Sequence, residues 1–278
     1  METRIVNFVL AGAQKCGTTS LSEQLAAHPD VGFCVEKEPH FFSKHPAPLD
    51  SAALAEYHGR FEPQNAVLWG EASTSYMFFD EYPHVAPTLS QYNPDMRIII
   101  MLRDPVKRII SHLHHRIRKG YIRGDNIHTE LATCTDYIDR SSYGRQIAAY
   151  QAVFAPEQIR IYNFEQYIRD PAPVVEDALR FIGADMQKWD PESLSREAKN
   201  ISDAKVRLGH IPGATAVLSY LEKQPWSWRL SRLIPLNTPM PEGIEQALWL
   251  RLKEDVDLLE SSTGFDASAW KNKYHHFG

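Results

Sequence analysis

The chain has 278 residues, of which 43% are hydrophobic and 11% aromatic, which is enough for one packed globular domain. The chain contains 30 Lys and Arg residues and 35 Asp and Glu residues, so it lacks the basic excess that is typical of nucleic-acid-binding and membrane-surface proteins. The three cysteines are widely spaced and form no Cys-x-x-Cys pair, which argues against a disulfide framework or a zinc site. The first apolar stretch is too short for a signal peptide or a membrane span. We therefore expect a cytoplasmic protein without a membrane span or a nucleic-acid partner.

Short apolar runs alternate with amphipathic segments along the chain, a pattern typical of a parallel α/β sheet. The apolar runs predict strands at 5–10, 66–69, 97–102 and 159–163. The amphipathic segments predict helices at 18–27, 104–117, 143–154, 174–182 and 243–261, with loops and short helices between 191 and 241. The run 97–102 is apolar on both faces and belongs at the centre of the sheet. We predict one α/β domain over residues 1–278, with a P-loop-type central parallel sheet flanked by helices on both faces.

A glycine-bearing loop follows the first strand and precedes the first helix. Gly12 and Gly17 have the spacing of a Walker A loop, whose backbone N–H groups bind phosphate beside a helix N-terminus. The lysine is Lys15, before the second glycine, and Thr18-Thr19 follow where an ATP- or GTP-binding loop has Lys and then Ser or Thr. The alternative to an anion-binding loop is an ordinary strand-to-helix turn with a solvated lysine. The order strand, Gly, Lys, Gly, Thr, Thr, helix favours an anion-binding loop.

A second anion site is indicated after the central strand. Arg103 lies at its carboxyl end, where ligands of open α/β sheets bind. Ser111, on the helix that Asp104-Pro105 starts, falls off the apolar stripe of that helix. Arg103 and Ser111 could hold a phosphate together, or Arg103 could pair with Asp104 or a surface carboxylate and Ser111 be solvated.

Taken together, Lys15-x-Gly17-Thr18-Thr19 and Arg103 with Ser111 resemble the two donor-binding motifs of the PAPS-dependent sulfotransferases (PAPS is 3′-phosphoadenosine 5′-phosphosulfate). The segment 37–42, Lys-Glu-Pro-His-Phe-Phe, is similar to a segment of the heparan sulfate glucosamine sulfotransferase-like branch. The resemblance implies the sulfotransferase fold and transfer of a sulfuryl group from PAPS to an acceptor hydroxyl or amine by in-line displacement, without a metal.

The resemblance also implies which residues bind the donor and which act in the reaction. The residues expected to contact PAPS are Lys15, Cys16, Gly17, Thr18, Thr19, Ser20, Arg103, Ser111, Tyr143, Lys205 and Arg207. Glu38 is the expected general base, and Lys15 would offset charge on the leaving phosphate. If Glu38 and His40 lie on a strand they share a face, so that His40 could orient Glu38, contact the acceptor oxygen or be the base itself.

Two sequence features bear on the acceptor and on metal binding. The heparan-modifying enzymes usually have Lys where this chain has Ala72, which argues against a heparan-like polyanion and leaves small-molecule, saccharide and lipid acceptors open. His112, His114 and His115 lack the i, i+4 spacing of a metal pair, so we expect a solvated basic face and no metal. The alternatives are a P-loop small-molecule kinase using ATP and Mg²⁺, and a non-catalytic nucleotide-binding protein.

Overall fold

A mixed sheet lies at the centre of the molecule in a computed structural model, which describes residues 5–63, 65–123, 126–191 and 240–277. Its strands are β1 (Phe8–Gly12), β2 (Val31–Cys34), β3 (Phe61–Glu62), β4 (Leu68–Ala72), β5 (Arg97–Leu102) and β6 (Ile159–Asn163). Their order is β3-β2-β4-β1-β5-β6, and only the pairing of β3 with β2 is antiparallel in the described sheet. Every residue of β1 is buried, as a strand covered on both faces requires.

The helices that cover the sheet follow in chain order. They are α1 (Thr18–Ala26), α2 (Phe41–Lys44), α3 (Ser51–His58), α4 (Val85–Tyr92), α5 (Pro105–Arg118), α6 (Ile127–Thr133), α7 (Asp136–Asp139), α8 (Tyr143–Gln151), α9 (Phe164–Arg169), α10 (Pro171–Ile182), α11 (Ile244–Thr263) and α12 (Ser268–Tyr274). The chain passes from β1 through α1 to β2 in one direction along the sheet, and from β4 through α4 to β5 in the other. Because such crossovers are right-handed, α1 and α4 cover opposite faces. The predicted α/β fold with helices on both faces is confirmed.

The strand predictions were right at 97–102 and 159–163 and shifted elsewhere. The first strand, at Phe8–Gly12, starts three residues later and ends two residues later than predicted, and the strand predicted at 66–69 runs from Leu68 to Ala72. Gly70 allows this extension, since a Cβ there would lie 2.0 Å from Cζ of Phe8 on the neighbouring strand. The strands β2 and β3 were not predicted, because four and two residues are too few to show a period.

The carboxyl ends of three neighbouring strands meet at one edge of the sheet. Leu10 of β1 pairs with Ala72 of β4 on one side and with Ile99 of β5 on the other. The glycine-bearing loop follows β1, Arg103 follows β5, and a 3₁₀ turn at Thr74–Met77 follows β4. The sheet therefore brings the predicted motifs to a common edge.

Candidate functional site

The loop between β1 and α1 is fixed by backbone hydrogen bonds. The N–H of Ala13 donates to the carbonyl of Met101 on β5 at 2.8 Å, and the N–H of Cys16 donates to the carbonyl of Ala13 at 3.2 Å. Lys15 and Gly17 both have left-handed backbone conformations, with φ of 70° and 84°. No side chain caps the start of α1 at Gly17, so its first N–H groups are directed toward the loop. A helix start of this kind suits an anion.

Phe164, the first residue of α9, joins the loop to Arg103. The guanidinium of Arg103 lies over the Phe164 ring, 5.0 Å from its centroid, and donates to the carbonyl of Lys15 at 3.5 Å. The carboxylate of Asp104 is instead bound by the N–H of Lys107, by Lys273 and by Tyr274. The alternative in which Arg103 pairs with Asp104 is therefore wrong, and Arg103 lies beside the loop.

Cys16 and Tyr143 lie beneath the loop. Both side chains are fully buried, and the Cys16 Sγ lies 3.7 Å from the Tyr143 hydroxyl. Burial raises the pKa of the Cys16 thiol to about 11, so the thiol is neutral. We expected both residues to contact the donor directly; here their side chains support the loop from its buried side, and their contact with the donor stays a prediction.

Arg108 is a buried cation that the sequence reasoning missed. It has no exposed surface, and its Nη2 donates to the carbonyl of Tyr137 at 3.0 Å. Its Nε and Nη1 have no hydrogen-bond partner among the described residues, and burial lowers its pKa. Cys16 and Tyr143 are among the groups that act on it electrostatically. The signal was its position in the first turns of α5, five residues after Arg103.

The other residues predicted to bind PAPS that the structure describes lie on α1 and α5. Thr18 is buried, Thr19 and Ser20 are half-buried, and the Ser20 hydroxyl accepts from Tyr167 at 2.8 Å. Ser111 is half-buried on α5. Lys205 and Arg207 lie outside the described residues. The structure thus brings the loop and Arg103 into contact and leaves the roles of the others as predictions.

Glu38 and His40 are brought together on a loop and not on a strand. Both have left-handed conformations, with φ of 56° and 54°, which costs free energy for residues with a side chain. The Glu38 Oε2 accepts from Thr74 at 3.1 Å and lies 3.6 Å from Nε2 of His40. Nδ1 of His40 lies 2.7 Å from the Ser75 hydroxyl, and burial lowers the pKa of the imidazole. A neutral His40 therefore stands beside a carboxylate that is about one-third exposed.

The 3₁₀ turn at Thr74–Met77 contacts both halves of the site. Its Thr74 donates to Glu38. Its Met77 packs on Gly12, the last residue of β1, where the loop starts, since a Cβ there would lie 2.8 Å from the Met77 Sδ. Glu38 and the loop are thus held on either side of one turn at the carboxyl edge of the sheet.

Glu71, on β4, is the second residue that the sequence reasoning did not select. It is fully buried, and its carboxylate accepts from the Ser73 hydroxyl at 2.9 Å and from the Tyr76 hydroxyl. Burial raises its pKa to about 7, against the opposing effect of these hydrogen bonds. The sequence signal was a glutamate inside a run that pairs with an entirely apolar strand.

The histidines of α5 do not all lie on a solvated face. His112 is buried against the Tyr137 ring at a centroid distance of 5.1 Å, and burial together with the Arg108 charge lowers its pKa to about 2. The expected solvated face is therefore wrong for His112, which is a neutral packing residue. In the described ranges no group of three metal-ligating side chains occurs.

The comparison with protein families decides the identity. The family model of the sulfotransferase domain matches this sequence over residues 6–211, a range that includes the loop, Glu38 and Arg103. The chain belongs to the sulfotransferase family. A solved structure of a sulfotransferase from Alicyclobacillus acidocaldarius agrees with this protein over 97% of the chain and 100% of its own length, with a TM-score of 0.68 and 25% identity.

Curated relatives match this chain over parts of its length. The membrane-associated sulfotransferase kil1 of Dictyostelium discoideum is 33% identical over 116 residues, 40% of this chain and 23% of its own. The mouse (Mus musculus) heparan sulfate glucosamine 3-O-sulfotransferase 3B1 is 29% identical over 187 residues, 63% of this chain and 45% of its own. The chain thus spans about a quarter of the first relative and under half of the second. Among the described helices none is long and apolar enough to cross a membrane.

Proposed function

We propose that this sulfotransferase takes its sulfuryl group from PAPS and transfers it to a saccharide hydroxyl, with Glu38 as the general base. The observation that carries the proposal is the turn at Thr74–Met77. It contacts Glu38 through Thr74 and, through Met77, Gly12 at the end of β1 where the anion loop starts, which supports a candidate base and a candidate anion loop at one edge of the sheet.

The residues of the loop fit the donor chemically. The uncapped N–H groups at the start of α1 and the Lys15 ammonium would hold the 5′-phosphosulfate. Arg103, oriented by Phe164, would hold the 3′-phosphate with Ser111. PAPS supplies the sulfuryl group and leaves as PAP, its desulfated form. Lys15 would offset the charge that develops on the leaving phosphate.

Glu38 has the surroundings of a positioned base. Its carboxylate is partly exposed, accepts a hydrogen bond from Thr74 at 3.1 Å and lies 3.6 Å from Nε2 of the neutral His40. Glu38 would take the proton of the acceptor hydroxyl as the oxygen attacks sulfur and the bond from sulfur to the phosphate oxygen breaks. His40 would orient Glu38 or contact the acceptor oxygen.

A saccharide acceptor is supported by the names of relatives, which include carbohydrate sulfotransferase 15 and heparan sulfate glucosamine 3-O-sulfotransferases. Ala72, in place of the usual lysine, favours a less anionic saccharide than heparan sulfate. We further propose that residues 1–278 form one domain, which Asp255 of α11 supports by accepting from the N–H groups of Gly144 and Arg145 at the start of α8. The cytoplasmic location stays a prediction.

Ligand binding and turnover test the proposal separately. Thermal denaturation is measured with PAP, with PAPS and with ATP and Mg²⁺; PAP should stabilise the protein by mass action and ATP should not. Stabilisation by ATP–Mg²⁺ alone would favour a kinase and overturn the donor assignment. Labelled PAPS is then offered with neutral and anionic oligosaccharides.

The base is tested with Glu38→Gln against Glu36→Gln. Glu36 is an exposed neighbour that pairs with Arg60, so the control changes the charge of the segment by the same amount. We expect Glu38→Gln to bind PAP with unchanged affinity and to lose turnover, and Glu36→Gln to keep both. Full activity in Glu38→Gln would sink the base assignment.

A further inference from the structure

Two backbone N–H groups at the junction of α2 with the loop that presents Glu38 and His40 are bound by hydroxyl groups. The N–H of His40 donates to the Ser73 hydroxyl at 3.0 Å, and the N–H of Phe42 donates to the Tyr76 hydroxyl at 3.2 Å. Each hydroxyl, having accepted a backbone N–H, donates its own proton to Glu71: Ser73 to Oε2 at 2.9 Å, and Tyr76 to Oε1. One buried carboxylate thus terminates two hydrogen-bonded chains that start on the backbone of residues 40–42.

This connection acts on a backbone that needs support. Glu38 and His40 are non-glycine residues with φ of 56° and 54°, and such conformations persist only where the surroundings impose them. Ser73, Tyr76 and Glu71 are all buried, so water does not compete for these bonds. A hydroxyl that donates to a carboxylate is also polarised toward accepting a stronger bond from the backbone.

We propose that Glu71 is a positioning residue for the sulfuryl transfer: through Ser73 and Tyr76 it fixes the loop that places Glu38 and His40. The proposal rests on the proposed function of Glu38. Glu71 is fully buried, so the structure assigns it no direct contact with donor or acceptor. Its effect passes through the backbone at His40 and Phe42.

The ionisation of Glu71 gives this device a pH dependence. Burial raises its pKa to about 7, with the charge of Glu38 adding to the rise. The other titratable groups that face it come from four elements and the turn itself: Cys34 on β2, Tyr57 on α3, Tyr76 on the turn, Tyr92 on α4 and Tyr150 on α8. Above pH 7 the carboxylate accepts both hydroxyl protons. Below it, the carboxyl proton forces one hydroxyl to turn its own proton away, and the loop is held less firmly.

Amide hydrogen exchange tests the connection without any substrate. Ser73→Ala should speed exchange at His40 by about tenfold and leave Phe42 unchanged, because each hydroxyl holds one N–H. Tyr76→Phe should do the reverse, and Glu71→Gln should speed exchange at the position whose hydroxyl faces the new amide nitrogen, because glutamine keeps only one acceptor oxygen. Equal responses at the two amides in the Ser73→Ala and Tyr76→Phe variants, or none in any variant, would overturn the proposal.

Kinetics test the positioning role. Glu71→Gln should lower kcat by about 10- to 100-fold, the cost of slightly misplaced catalytic groups, with PAP affinity unchanged. Its kcat should also lack the rise through about pH 7 that we expect of the natural protein. The matched control is Glu130→Gln, since Glu130 also accepts from a tyrosine, Tyr137, at 2.8 Å but lies on α6. If kcat of Glu71→Gln is as high as that of the control Glu130→Gln, Glu71 is structural only. The same conclusion follows if the PAP affinity of Glu71→Gln falls in step with its kcat.

The two proposals fail in different ways. If the natural protein neither binds PAP nor turns over PAPS, the proposed function fails, while the exchange rates at His40 and Phe42 still decide whether Glu71 holds the loop. If turnover is present and Glu38→Gln abolishes it, a normal kcat in Glu71→Gln removes the positioning role alone. Should Glu71→Gln not fold, Ser73→Ala and Tyr76→Phe carry both measurements.

Discussion

The ring of Phe164 occupies the space into which a side chain at position 17 would extend, since a Cβ built on Gly17 lies 2.7 Å from Cε2 of that ring. The same ring lies under the guanidinium of Arg103. One aromatic side chain therefore sets both the shape of the anion loop and the place of the second cation. The glycine is required by packing as well as by its φ of 84°.

Gly17→Ala should destabilise the protein and weaken PAP binding. A left-handed backbone costs a non-glycine residue about 1–3 kcal/mol, and the contact with Phe164 adds to this by displacing the ring from Arg103. The free energy of unfolding from urea titration and the Kd for PAP from calorimetry check the two effects.

Gly183→Ala is the matched control for the backbone strain. Gly183 ends α10 with φ of 87°, and a Cβ there meets nothing within 4 Å. We expect it to lose stability by the conformational cost alone and to keep its PAP affinity. Equal losses of PAP affinity in the two variants would contradict a role for the Gly17–Phe164 contact.

Arg103→Met should weaken PAP binding by about 10- to 100-fold, the value of a charge-assisted contact to phosphate. Arg97→Met is its control at the other end of β5: Arg97 also donates to a backbone carbonyl, that of Glu157, and also lies over a phenylalanine, Phe181. Because ligands bind at the carboxyl ends of parallel strands, only the Arg103 variant should lose affinity. An equal loss in both variants would mean that the second phosphate lies elsewhere.

The parts of the fold that the sequence predicted are those with a strong local signal. The run 97–102 is apolar at five of its positions and buried there, and Asp104 caps the next helix by accepting from the N–H of Lys107, as Asp before Pro indicates. The motif order around Gly17 likewise placed the loop between β1 and α1.

The parts that it did not predict depend on partners distant in the chain. From the sequence alone Glu71 would be assigned to the surface, whereas in the fold its buried carboxylate accepts from Ser73 and Tyr76. The burial of Arg108 likewise depends on the packing of Tyr137 and Cys16 around it. The left-handed backbone conformations at Glu38 and His40 occur without a glycine, the residue that would have indicated them in the sequence. Such features are set by tertiary contacts and leave no period or turn signal in the sequence.

Asp104 connects the end of the chain to the second anion site. Its Oδ1 accepts from the N–H of Lys107, and its Oδ2 accepts from Tyr274 at 2.9 Å and from Lys273 at 3.0 Å, both on α12. Its own N–H donates to Glu165 at 3.0 Å. The residue that follows Arg103 is therefore held by a helix from the far end of the sequence.

Asp104→Ala should destabilise the protein by about 2–4 kcal/mol, because it removes a helix cap and leaves the buried Tyr274 hydroxyl without its carboxylate partner. The control is Asp50→Ala, since Asp50 caps α3 through the N–H of Ala53 at an exposed position, where solvent reaches its carboxylate. That change should cost about 1 kcal/mol, the value of a cap alone. The excess for Asp104 measures the attachment of α12, and it should be accompanied by weaker PAP binding, because Arg103 is the adjacent residue. If both variants lose the same free energy of unfolding, α12 does not stabilise the start of α5, and the C-terminal helix has no part in shaping the donor site.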